Sequence, residues 1–114
     1  MIPESIRQQK ISKLIQKEIS EMLLKEIKHL CGTALVTNTV VRVTADLSVA
    51  KIYLSVFGTK DKESIINNFS KRTSEIRHLL GKRIRYQVKH IPGLHFYIDD
   101  SLDYIEKIDN VLKR

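Results

Sequence analysis

Two hydrophobic periods alternate along the chain. Ile11, Leu14, Ile15, Ile19, Met22 and Leu23 fall on one broad arc at 3.6 residues per turn, with Lys10, Lys13, Lys17, Glu21 and Lys28 outside it. This spacing predicts an amphipathic helix. Pro3 near its start, Glu4 and Ser5 as candidate caps, and Gly32 just beyond its end mark its limits, while Ile6 and Leu24 fall off the stripe. The period then drops to two. TVVRVT (39–44) and VAKIYLSVF (49–57), joined by the polar link ADLS, predict a β-hairpin. In the second strand Ala50, Ile52, Leu54 and Val56 face one way, and Lys51, Tyr53, Ser55 and Phe57 the other. Gly58 ends it.

The helical period returns from 62 to 80, where Ile65, Phe69, Ile76 and Leu80 share a face and Gly81 is the expected C-cap. Arg72 lies on that same apolar arc. An unpaired charge is costly to bury, so a break near 70–74 is expected, where Ser70, Thr73 and Ser74 are weak helix formers. RIRYQVKHIP (83–92) alternates again and reads as an extended basic piece, with Arg83, Arg85 and Lys89 on one side. LHFYID (94–99) reads as a third strand, and Leu102, Ile105, Ile108 and Leu112 as a short C-terminal helix.

The expected order is α-β-β-α-α-β followed by that last helix, an α+β fold with a three-stranded sheet and helices on one face. A helical crossover between the second and third strands permits them to run parallel. With 114 residues the chain has the size of one domain, 1–114, with a core over about 5–100 and the C-terminal helix over about 101–114. No apolar run is long enough for a bilayer. The lone Cys31 and an N-terminus without an apolar signal segment fit a cytoplasmic setting.

Charge changes the picture most. Of a formal +7, residues 71–90 hold seven Lys and Arg against a single Glu75. Such concentration points to a polyanionic partner, with a solvated basic face as the plain alternative. Lys82, Arg83 and Arg85, supported by Lys71, Arg72, Arg77 and Lys89, are the residues expected to meet phosphates. Tyr86, His90, His95 and Tyr97 are placed to stack on unpaired bases or to pack half-buried. Catalytic signals are thin. Asp99 and Asp100 are adjacent, so on a strand they point to opposite faces, and Asp100-Ser101-Leu102-Asp103 reads as a helix cap and acidic first turn. His29 and Cys31 offer zinc two ligands where three or more are usual. No phosphate loop, paired cysteines or nucleophile elbow occurs, so no catalytic or metal site is expected.

The element order, the absence of a G-x-x-G loop, and the stretches VRVTADLSVAKIYLSVFG, IRHLLGKRIR and IPGLHFYIDDS resemble the bacterial ribosome-binding factor A family over roughly residues 5–108. The resemblance implies a type II KH-like fold. It further implies a monomeric RNA-binding assembly factor that binds the small (30S) ribosomal subunit and its 16S rRNA. Such a factor supports late rRNA maturation, including 5′-end processing and notably in the cold, without catalysing it and with no cofactor. The family commonly has Ala-x-Gly at the interhelical kink and Pro-Glu-Leu before the last strand, where this sequence has Arg72-Thr73-Ser74 and Pro92-Gly93-Leu94. Two other readings remain: a metal-dependent RNA-processing nuclease using Asp99 and Asp100, and a protein-interaction module using the first helix.

Overall fold

The computed structural model describes residues 4–99, so Asp100 and the expected C-terminal helix lie outside the described residues. Helix α1 spans Ile6–Leu24, and a single 3-10 turn follows at Lys28–Cys31. Strands β1 (Leu35–Val43) and β2 (Val49–Phe57) form the hairpin. Helices α2 (Lys62–Lys71) and α3 (Thr73–Ile84) lead to β3 (Gly93–Ile98). The sheet order is β1-β2-β3, with β1 antiparallel and β3 parallel to β2. The α+β reading with three strands and helices on one face therefore holds.

Each helix is where its apolar stripe requires a partner. Ser5 and Gln8 close a capping box at the start of α1, so two backbone N–H groups that lack helical partners are satisfied. Ile15, Ile19, Met22 and Leu23 are buried from α1, and the inward rows of β2 and β3 place Ala50, Ile52, Leu54, Val56, Leu94 and Phe96 beneath the helices. Phe69 of α2 meets Phe96 of β3 with ring centroids 5.6 Å apart, a spacing typical of favourable aromatic pairs.

The first strand begins earlier than its β-branched run indicates. Thr39 is an extra residue between the pairs Asn38↔Leu54 and Val40↔Tyr53, so the inward set changes from Val36 and Asn38 to Val41 and Val43. That bulge hid the alternation of 35–38 from a period-two reading. Asn38 Nδ2 donates to the carbonyls of Tyr53 (2.9 Å) and Val40 (3.2 Å) and so fills the irregularity. Along the free edge of β1, Gln8 and Gln16 of α1 donate side-chain hydrogen bonds to the carbonyls of Val43 and Thr39, each at 2.9 Å. A strand edge that would otherwise offer bare acceptors is thereby covered by a helix.

Three further expectations need correction. Gly81 is no C-cap: α3 continues to Ile84, and Gly81 sits inside it where a Cβ would meet Ile91 Cγ1 at 3.4 Å. The segment from Arg83 is not extended, because the helix ends at Ile84 and unwinds through a turn at 85–87, with Gln87 and Val88 N–H both donating to the Ile84 carbonyl. Alternation of charged and apolar residues over so short a run also fits one flank of a helix end. Ser55 does lie on the outer face of β2 in step with Tyr53, but it is buried there and not open to solvent.

Candidate nucleic-acid interface

The break between α2 and α3 falls on Arg72, whose backbone (φ −106°, ψ 18°) serves both helix ends. Its N–H donates to Phe69 O at 3.1 Å, and Thr73 Oγ1 donates to Ser70 O at 2.7 Å. A kink forms here without glycine because the threonine hydroxyl takes a carbonyl that the interrupted helix leaves open. The break turns the Arg72 side chain outward, where it lies 3.6 Å from Glu75. The expected bend and the reason for it are both present.

α3 then distributes the basic residues over separate faces. At 100° per residue Ile76, Leu80 and Ile84 form its buried stripe, and Lys82 and Arg85 lie on the far side. Arg77 flanks the stripe and its guanidinium donates to two carbonyls, Nε to Pro92 (3.1 Å) and Nη2 to Ile91 (2.6 Å). It holds the chain entering β3 against the helix. Between these parts opens a groove of about 880 Å³, bordered by α3 and the segment leading into β3. Arg77, Lys82, Arg85 and Lys89 line it with His78, His90 and His95, and no carboxylate is among its described lining residues. Lys71 and Arg72 stand exposed at the kink. Arg85 also lies over the Tyr86 ring, 4.7 Å from its centroid, leaving that ring 85% exposed.

Arg83 goes elsewhere, and its expected place on the open basic surface is corrected. Its Nη1 donates to Glu18 Oε2 and Glu21 Oε2, each at 2.9 Å, and its Nη2 to Glu26 Oε1 at 2.7 Å. The side chain is only 20% exposed. Hydrogen bonds to these carboxylates push the guanidinium's pKa up, and the bond from Arg83 holds Glu26 below the usual carboxylate range. Arg83 thus ties α3 to α1. Reading 83–92 as a strand grouped Arg83 with Arg85, whereas the helical angle puts it beside Ile76 and Leu80. Three glutamates near the end of α1 were the other signal.

The remaining candidates separate cleanly. Asp99 closes the sheet, its N–H donating to Leu54 O and its Oδ2 accepting from Thr39 Oγ1 at 2.5 Å. Cys31 is buried, and loss of solvation pushes its thiol pKa up, the reverse of what a reactive thiolate needs. His78 lines the groove from α3, while Tyr97 sits on the opposite face of the sheet from the helices.

Element order, mixed sheet and a cationic groove beside an edge strand define a small KH-like α+β domain. The chain belongs to the ribosome-binding factor A family, whose model, described as Ribosome-binding factor A, matches residues 7–112. It is 48% identical over 111 residues to a Ribosome-binding factor A of Cytophaga hutchinsonii, covering 97% of this chain and 84% of that one. It is 43% identical over 110 residues to the Flavobacterium johnsoniae protein of the same name, covering 96% and 85%. The crystal structure of ribosome-binding factor A from Thermus thermophilus shares the fold at a TM-score of 0.58 and 22% identity, over 76% of this chain and 94% of that one. Coordinates of a Thermus thermophilus homology model fitted into the cryo-EM map of a 30S–RbfA complex share it at 0.59 and 22%, over 76% and 93%.

Proposed function

We propose that this chain binds the small (30S) ribosomal subunit through 16S rRNA and supports late maturation of that rRNA, including processing of its 5′ end, without performing the cleavage. It acts in the cytoplasm as a monomer, needs no cofactor and matters most in the cold. One observation carries the RNA part of this reading. Lys82, Arg85 and Lys89 converge with three histidines on a groove whose described lining holds no carboxylate, which is the electrostatic requirement for holding several phosphates. Membership of the family and the 30S complex of the Thermus protein support the choice of partner.

Phosphate contacts position a protein without reading sequence. Discrimination of a subunit precursor then rests on the shape of the rRNA around the groove. Tagged protein sedimented with free small subunits, precursors and whole ribosomes from cells lacking the factor is the test. Co-migration with precursors and free subunits, lost in the variant Lys82→Glu with Arg85→Glu, is the expected result. Sedimentation of that variant identical to wild type would place the interface elsewhere, and RNA cleavage by the purified protein with Mg²⁺ would make it a nuclease.

A further inference from the structure

We propose that the face of the sheet turned away from the helices is a second RNA surface, taking unpaired bases of a strand that leaves the cationic groove. This rests on the RNA reading above and adds a base-contacting surface to it. Strand register sets the geometry. Val40, Tyr53 and Tyr97 are cross-strand partners in one row, and Arg42, Lys51 and His95 form the neighbouring row. Side chains two apart on a strand share a face, so an apolar and aromatic row lies beside a basic one, about 6.6 Å away at 3.3 Å per residue.

The tyrosine pair is built and accessible. The rings of Tyr53 and Tyr97 stack with centroids 5.4 Å apart, and Tyr97 is 42% exposed. Here the described helices all lie on the other side of the sheet, against Ala50, Ile52, Leu54 and Phe96. Aromatic faces on a sheet accept any base, whereas a protein partner would need a larger apolar patch.

Charge orients the occupant. Lys51 is the cation of this row that draws phosphate, Arg42 at its far end is shared with Glu4 (3.3 Å), and His95 adds ring nitrogens that can hydrogen-bond an RNA backbone. Asp99 lies past Tyr97 on the opposite border, its carboxylate turned to Thr39. A strand therefore runs with its backbone along the basic row and its bases over the tyrosines. The two surfaces join at the edge strand. His95 lines the groove and, with Tyr97, Ser70 and Thr73, a smaller hollow of about 350 Å³ beside it.

The test measures affinity for a nine-nucleotide single-stranded RNA and for an abasic strand of the same length, as a function of salt. The proteins are wild type, Tyr53→Leu with Tyr97→Leu, Tyr53→Phe with Tyr97→Phe, and Lys82→Glu with Arg85→Glu. The leucine pair is expected to weaken the base-bearing strand about tenfold or more while leaving the abasic strand and the salt slope unchanged, since stacking releases no counterions. The phenylalanine pair should bind as wild type. Equal losses on both strands would assign the tyrosines to the fold alone and overturn the proposal, as would wild-type affinity of the leucine pair. The groove variant judges the other reading independently, because it should lose both strands; if it lost neither, the groove assignment would fail whatever the tyrosines did.

Discussion

Arg83 and Arg85 stand two residues apart in the most basic part of the chain and serve different ends. Arg83 commits its guanidinium to Glu18, Glu21 and Glu26. Replacing it by Met keeps much of the packing but leaves three carboxylates facing one another. Exposed ion pairs contribute about 0–1 kcal/mol and broken buried ones about 3–5; at one-fifth exposure the expected loss is roughly 1–3 kcal/mol, read by urea unfolding. RNA affinity should change little. Arg85→Glu should do the reverse, with unfolding near wild type and binding weakened.

Acid separates the two as well. Arg83 depresses the pKa of Glu26 in the folded state. A depressed carboxylate contributes stability that is complete above its unfolded pKa and is lost as pH falls through the folded value. Wild-type stability should therefore decline through the acidic carboxylate range more steeply than that of Arg83→Met, in which this contribution is already gone. Parallel pH profiles of unfolding midpoint for the two proteins would remove Glu26 from the account.

Within elements, two glycines give opposite expectations. Gly81 lies in the body of α3 with the Ile91 Cγ1 as its nearest neighbour. Alanine favours a helix by roughly 0.8–1 kcal/mol over glycine, and its methyl would touch Ile91 at 3.4 Å, ordinary contact at its lower limit. Gly81→Ala should be neutral or raise the thermal midpoint, whereas Gly81→Val should lower it and narrow the groove. Gly58 has φ +86° just after β2. A side chain there is strained by about 1–2 kcal/mol even where space is open, so Gly58→Ala should lower the midpoint. Equal midpoints for the two alanine variants would show that backbone conformation does not govern these sites.

The α2–α3 break is the element whose cause was legible in advance. A charged residue on an apolar arc between weak helix formers has few outcomes besides a kink. The opposite held for β1, where one bulged residue shifts every later side chain to the other face and no local composition announces it.

At the scale of the whole molecule, the groove's charge predicts the salt response of binding. Arg77 is committed to two carbonyls and Arg83 to carboxylates, which leaves Lys82, Arg85 and Lys89 as its principal phosphate partners. Three neutralised phosphates at roughly 0.7–0.9 each give the groove's share of the slope of log K against log salt as about −2 to −3, to which contacts along the Lys51 row would add. A titration on small subunits should show it, with Lys82→Glu and Arg85→Glu flattening the slope by about two contacts. A slope near zero would mean that the groove meets no phosphate.

Local pattern in the sequence determined which segments are helical or extended, apart from the end of α3 at 83–87 and the start of β1, along with the inward apolar rows of α1, β2 and β3, the break in the long helical stretch and the concentration of charge in residues 71–90. These follow from period and composition, which act over a few residues and leave their mark in order along the chain. The tertiary structure alone decided which cations are free to bind. Arg83 is taken by glutamates more than fifty residues away, Arg77 by carbonyls fourteen and fifteen residues on, and Tyr53 meets Tyr97 only because β3 runs parallel beside β2. A side chain's availability depends on what packing brings to it from distant parts of the chain, and spacing in sequence holds no record of that.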